Sequence, residues 1–228
     1  MKGNFQLDPE SIVDRCEANG ARPVPSLAES VTRGAIGFTL VSVAGFAPWA
    51  LAGRALHRVV GEVGMYAACA VVFVGLSGVL LHRLIIGPGS LRRFYALFSV
   101  AFLTYAVCWT VAWIGLRGQV GGIIGLLLGT MAMAWILVRA FDAGNALIAV
   151  ALQLFVLNAI GYFGGGWVAA AVARQAPVEW FGIALDRSGM RAVAMLMWGV
   201  CYGLGLGTGL GLAFYQCQTR VRALLASR

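Results

Sequence analysis

The sequence predicts an all-α polytopic membrane protein, six transmembrane helices behind a polar N-terminal tail. Three observations carry that prediction. Of the 228 residues, 60% are hydrophobic and only 11% charged, and the mean hydropathy is +0.83. A soluble domain carries about 25% charged residues, and this chain has too few charges to solvate the outside of a soluble fold. The apolar residues fall into six stretches, each close to the ~20 residues that cross a ~30 Å hydrocarbon core. The breaks between them hold Pro88, Pro177, most of the arginines and every acidic residue outside residues 1–33. A soluble enzyme, a disordered chain and a nucleic-acid binder are thereby excluded.

Residues 1–33 form the tail. They carry Asp8, Glu10, Asp14, Glu17 and Glu29 against Lys2, Arg15, Arg22 and Arg33. The acidic beginning and the late apolar run are unlike a secretory signal. A polar tail frays unless something ties it down, which points to a partner or a second copy. Ser26 and Glu29 fit a capping box, so a helix is expected to start there.

The bundle spans 34–216, with crossings at about 34–53, 63–81, 94–116, 121–138, 145–167 and 191–215. Gly53 to Glu62 reads as a short polar turn, and Pro48 should kink the first span near its end. Gly87-Pro88-Gly89-Ser90, flanked by arginines, is a loop. Arg117-Gly118-Gln119 and the run from Arg139 to Asn145 are tight connections. Residues 168–190 make the longest break, an interfacial loop in which Trp167, Trp180 and Phe181 point to a short amphipathic helix. Gly164-Gly165-Gly166 should loosen the fifth span. Residues 217–228 are a basic C-terminal tail.

Six crossings put both termini on one side. That side carries eleven of the 17 basic residues and the other carries six. The positive-inside rule therefore predicts an inner (cell) membrane protein with cytoplasmic termini. Paired features (Trp49 with Trp135, Phe73 with Phe155, Arg93 with Arg191) hint at a three-plus-three inverted repeat, as in many transporters.

Small and aromatic residues recur at helical spacing. Gly199, Gly203, Gly207 and Gly211 form one ladder in the sixth span, with Gly205 and Gly209 on another face. Gly121, Gly125 and Gly129 form a second ladder in the fourth span. Residues four apart share a helix face, so each ladder is a flat groove for a neighbouring helix. The third span carries Phe94, Phe98, Phe102, Tyr105, Trp109 and Trp113 on one continuous face. This ridge is expected to pack into a glycine groove of the fourth or sixth span; the alternative is a stacking wall for a flat pigment.

Candidate chemistry is sparse. Arg54, Glu62, His82, Arg93, Arg117, Arg139, Asp142 and Arg191 all fall at span ends, where long side chains reach the headgroups cheaply. No ionisable group sits mid-span, which argues against a proton pump or cation-coupled carrier. Lys2 is the only lysine, so there is no buried amine for a retinal Schiff base. His57 and His82 are the only histidines and the only metal-ligand candidates. They end successive spans on opposite faces, which disfavours a shared haem. Gly75-Leu76-Ser77-Gly78 resembles the G-x-S-G element of rhomboid proteases over four residues, but no histidine follows His82 to activate the serine. The five cysteines read as free apolar thiols.

Gln153, Asn158 and Tyr162 are the polar residues of the fifth span. The two amides should face the bundle interior, either bonding to neighbouring helices or lining a path for a weakly polar solute. The expected function is that of a non-catalytic membrane subunit, packed with other membrane subunits or copies of itself and in contact with membrane lipids. It requires no cofactor, with room for a pigment or lipid. A small channel or carrier for a neutral solute is the alternative.

Overall fold

The computed structural model describes residues 5–20, 24–175, 178–180 and 183–228. Five of its helices are long and apolar enough to cross a membrane. In chain order the helices are α1 (Pro9–Asn19), α2 (Leu27–Leu81), α3 (Ser90–Leu116), α4 (Gly118–Ala140), α5 (Leu147–Ala173), α6 (Arg187–Cys217) and α7 (Thr219–Ala226). A short ribbon of β1 (Val178–Trp180) and β2 (Ile183–Leu185) joins α5 to α6.

The 55-residue α2 accounts for two of the apolar stretches. Its helical geometry fails at Gly61 (φ 70°, ψ −175°), a conformation open to glycine because it has no Cβ. The chain folds back there. Phe38 stacks on Phe73 at 5.7 Å between centroids, and a Cβ on Gly37 would lie 2.7 Å from the Leu81 side chain. In an unbroken helix Gly37 and Leu81 would be ~66 Å apart at 1.5 Å per residue. The expected turn from Gly53 to Glu62 is thus corrected to a break at Gly61, helical on both sides. Pro48 lies inside the first arm, and no non-helical backbone accompanies it.

Ser26 caps α2 as the sequence implies. The Glu29 amide donates to Ser26 Oγ (3.2 Å), and the Ser26 amide donates to the Glu29 carboxylate (2.8 Å). At the other end of the bundle, Asp186 caps α6. It accepts from the Gly189 amide (2.8 Å), the Ser188 amide (3.0 Å) and the Ser188 hydroxyl (2.7 Å). These donors, Gly189 first, hold the Asp186 carboxyl below its ordinary value. The cap is therefore intact at neutral pH and is lost only as acidification protonates the carboxylate.

Helix α6 lies between α2 and α5, and its glycines set both spacings. Toward α2, Cβ atoms on Gly207 and Gly211 would strike the carbonyls of Gly34 and Ser30, and one on Gly203 would lie 2.5 Å from Thr39 Cα. A Cβ on Gly199, at the end of the ladder, would lie 3.4 Å from the Phe46 side chain and the Ser42 carbonyl. Toward α5, a Cβ on Gly205 would strike the Leu157 carbonyl, and one on Gly161 of α5 would lie 2.6 Å from the Cys201 carbonyl. Helices α3 and α4 form a second close pair: Cβ atoms on Gly121, Gly125 and Gly129 would reach Ala112 O (2.9 Å), Trp109 Cα (2.9 Å) and the Tyr105 ring (2.6 Å). The outward faces are apolar, with Val59 82% and Ile148 81% exposed.

The N-terminal stretch is tied down by contacts within its own chain. Helix α1 buries Ile12, Val13 and Cys16 in the same core as Ile85, Ile86 and Val221. Arg220 bridges Glu10 (2.5 Å) and Asp142 (3.5 Å), and Arg228 pairs with Glu17. Gln218, 1% exposed, donates to the Leu84 carbonyl (2.8 Å) and accepts from the Ile86 amide (2.8 Å). The segment expected as an interfacial helix is instead the ribbon, paired antiparallel with Glu179 opposite Ala184. Helix α5 already covers 168–173 and runs unbroken through Gly164–Gly166. Phe181 lies outside the described residues.

Gly207→Leu should destabilise the bundle by about 3 kcal/mol or more, because the clash is with backbone that cannot move aside. Gly164→Leu, where a Cβ meets nothing within 4 Å, should stay within about 0.5 kcal/mol of wild type. Thermal unfolding of both variants in detergent checks this.

Candidate functional site: an aromatic cavity within the bundle

A cavity of about 360 Å³ lies between the two arms of α2 and helices α3, α5 and α6. This falls within the size range of small-molecule sites. Its lining is mostly aromatic. The first arm of α2 brings Phe46 and Trp49, and the second brings Tyr66 and Phe73. Helix α3 brings Phe102, Tyr105, Trp109 and Trp113; α5 brings Tyr162; α6 brings Trp198 and Tyr202.

The rings contact one another as well as the cavity. Trp109 and Trp113 stack at 5.6 Å with planes 7° apart. Tyr66 meets Trp109 edge-on at 5.8 Å, and Trp198 meets Tyr162 at 5.4 Å and Trp49 at 5.9 Å. Such pairs add about 0.5–1.5 kcal/mol each beyond area burial. Trp198 is fixed further by its indole N–H, which donates to the Tyr162 carbonyl (2.9 Å).

Polar groups sit at two levels. Deep in the bundle, Asn158 is fully buried and its Nδ2 donates to the Tyr105 hydroxyl (3.0 Å), which also accepts from the Tyr202 hydroxyl (3.2 Å). Asn158 Oδ1 and the Trp109 indole N–H are buried and lack a partner among the described residues. Nearer the Gly61 reversal, Arg117 makes a two-pronged pair with Glu62 (3.0 and 3.3 Å), and the Tyr66 hydroxyl donates to the same carboxylate (3.2 Å). This ion pair links the turn of α2 to the turn between α3 and α4.

The sequence-predicted residues distribute as follows. Phe94 and Phe98 stack at 5.1 Å and continue to Phe102 at 5.3 Å, buried in the core below the cavity. Phe102, Tyr105, Trp109 and Trp113 have one side toward the cavity, and Tyr105 and Trp109 also cover Gly129 and Gly125 of α4. The ridge is therefore divided between packing and lining. Gln153, Asn158 and Tyr162 do not share a path. Tyr162 lines the cavity, Asn158 is bonded behind it, and Gln153 is half-buried with its Nε2 unpartnered among the described residues.

His57 is exposed near Gly61. His82 ends the second arm, its Nδ1 within 3.0 Å of the Gly78 carbonyl and 3.2 Å of the Val79 carbonyl. No group of three potential metal-ligating His, Cys, Asp or Glu side chains occurs among the described residues. The Ser77 hydroxyl donates to the Phe73 carbonyl (2.5 Å), as an ordinary helix serine does.

Sequence reasoning missed the second half of the lining: Phe46, Trp49, Tyr66, Phe73, Trp198 and Tyr202. Local signals for it exist. Tyr66, Cys69 and Phe73 share a face at spacings of three and four, and Trp198 and Tyr202 are four apart on α6.

Compared with known protein families, curated proteins and solved structures, the chain matches none of them.

Asn158→Leu should cost on the order of 1 kcal/mol, as interhelical hydrogen bonds in membranes do, because Tyr105 then keeps only its bond to Tyr202. Thermal unfolding of the variant beside Tyr202→Phe, which removes the other bond, measures both shares.

Proposed function

We propose that this is a non-catalytic integral membrane protein whose bundle holds one apolar molecule, a pigment ring or part of a lipid, between the arms of α2 and helices α3, α5 and α6. The observation that carries the reading is the cavity wall of stacked rings around about 360 Å³. Such a wall offers dispersion and stacking to a flat or chain-like apolar guest. No charged side chain lines it among the described residues, and Glu62, bonded to the lining Tyr66, is paired with Arg117.

The protein crosses the inner membrane six times with both termini in the cytoplasm. The reversal at Gly61 supports that count, since each arm of α2 is long enough for its own crossing. The basic residues support the orientation. The inverted repeat draws no support from the packing, because Trp49 lines the cavity whereas Trp135 is 54% exposed. The protein works as a subunit beside other membrane proteins or copies of itself. Gly164 and Gly166 of α5 support this, since they leave open space where another helix could approach.

A channel or carrier for a neutral solute is the second reading. It is favoured by the phenols of Tyr66, Tyr105, Tyr162 and Tyr202 around one cavity.

Purification from native membranes, followed by an absorption spectrum and mass analysis, should reveal a stoichiometric apolar guest. Trp109→Ala should release it while the helical content is unchanged. A wild-type protein that carries no guest but passes a small solute in proteoliposomes, with flux lost in a Gln153→Leu, Asn158→Leu double variant, would overturn the holding function. Cysteine labelling at introduced sites should report residues 1–33 and the 168–190 segment on opposite faces; same-side labelling would sink the six-crossing topology.

A further inference from the structure

The aromatic cavity selects its guest by charge, shape and hydrogen bonding. We propose that it takes a neutral ring bearing carbonyl oxygens on an alkyl chain, the chemistry of a membrane quinone. The inference rests on the reading that the cavity holds an apolar guest, and it names the class of that guest.

Charge comes first. No Asp, Glu, Lys, Arg or His side chain lines the cavity among the described residues. An ionised guest would be desolvated there without a counter-ion, which favours a neutral one. Shape comes second. Trp109 and Trp113 stack on α3 with their planes 7° apart, and a flat ring packs well against such a wall. The volume of about 360 Å³ is near the lower end for ligand sites, which suits one ring system and the start of a chain.

Hydrogen bonding narrows the class further. Most polar groups of the wall are engaged with the protein itself. The Tyr66 hydroxyl donates to Glu62 (3.2 Å), and the Trp198 indole N–H donates to the Tyr162 carbonyl (2.9 Å). Tyr202 bonds to Tyr105 (3.2 Å), which also accepts from Asn158 (3.0 Å). The hydroxyls of Thr110 and Tyr162 are different. Both residues line the cavity and are half-buried, and neither hydroxyl proton has an acceptor among the described residues. The Trp109 indole follows the same pattern: it precedes Thr110 in the chain, meets the Tyr162 ring at 6.0 Å, and has an unpartnered N–H. No carboxylate or carboxamide lines the cavity to offer an acceptor in return. The complement of such a wall is an oxygen that accepts and carries no charge, and a ring carbonyl is one. A hydrocarbon pigment or a bare acyl chain fills the same space and leaves these protons unmet.

The test uses the full chain in detergent. Native mass spectrometry and thermal unfolding follow titration with decyl-naphthoquinone and with decyl-naphthalene, which has the same ring system and chain without the carbonyls. A neutral hydrogen bond contributes about fivefold in affinity, so wild type should prefer the quinone by about tenfold or more. Tyr162→Phe and Thr110→Val remove hydroxyls that bond to nothing else in the chain. Each should fold as wild type does, cut the preference about fivefold and leave the affinity for decyl-naphthalene unchanged; the double variant should abolish the preference. Equal binding of the two compounds overturns the inference and leaves the holding function standing, as does a preference that survives the double variant. Binding of neither compound also overturns it, and the guest found in native membranes then decides the holding function by itself. The single variants carry the comparison if the double one fails to fold.

Discussion

The close approach of α6 to α2 and α5 is the contact on which the rest of the bundle rests. Lipid tails are as apolar as leucine, so burying apolar side chains between helices in a membrane gains little. What remains is dispersion at short range, and that requires backbones to approach without side chains between them. Gly203, Gly207 and Gly211 supply this on one face of α6, and Gly205 with Gly161 supplies it on another. A helix with glycines on two faces can act as the central post of a bundle. The helices that carry large rings are then held at fixed distances from it.

The aromatic cavity follows from where that close packing stops. A Cβ on Gly207 or Gly211 would strike a backbone carbonyl, whereas one on Gly199 would lie 3.4 Å from both the Phe46 side chain and the Ser42 carbonyl, an ordinary contact distance. Beyond that point the elements are held apart by rings instead of drawn together by glycine. Phe46, Trp49, Phe73, Trp198 and Tyr202 meet at centroid distances of 5.9–6.2 Å without filling the space between them. The Glu62–Arg117 pair closes the arrangement at the Gly61 reversal. Exposed ion pairs add little stability, so its contribution is to hold two turns in register and not to carry the fold.

Much of this was legible in the sequence because it is periodic. The ladders at 121–129 and 199–211 and the ridge from Phe94 to Trp113 repeat every three or four residues, and one helix suffices to read them. The lining was only half legible. Trp198 and Tyr202 sit in a glycine-rich helix whose ladder dominates its pattern, and nothing local says that Tyr66 faces Trp109. The break at Gly61 was blurred into a polar stretch, since Arg54, His57 and Arg58 read as a loop although the backbone there is helical. The docking of α1 escaped altogether. Its apolar face of Ile12, Val13 and Cys16 is short, and its partners Ile85, Ile86 and Val221 lie far along the chain, beyond the next two apolar stretches.

The tie between α1 and α7 has a consequence for how the protein is made. Glu10 and Arg220 are 210 residues apart, and Gln218, which pins the loop at Leu84 and Ile86, sits just before α7. During synthesis the N-terminal helix emerges first, and the loop at Ile85 and Ile86 gives it only part of its docking surface until the last membrane helix has been inserted. Through that interval Val221 does not yet cover its apolar face, and Glu10 and Glu17 lack Arg220 and Arg228. The final residues of α6 and α7 thus act as a completion signal, closing one face of the molecule only when every span before them is in place.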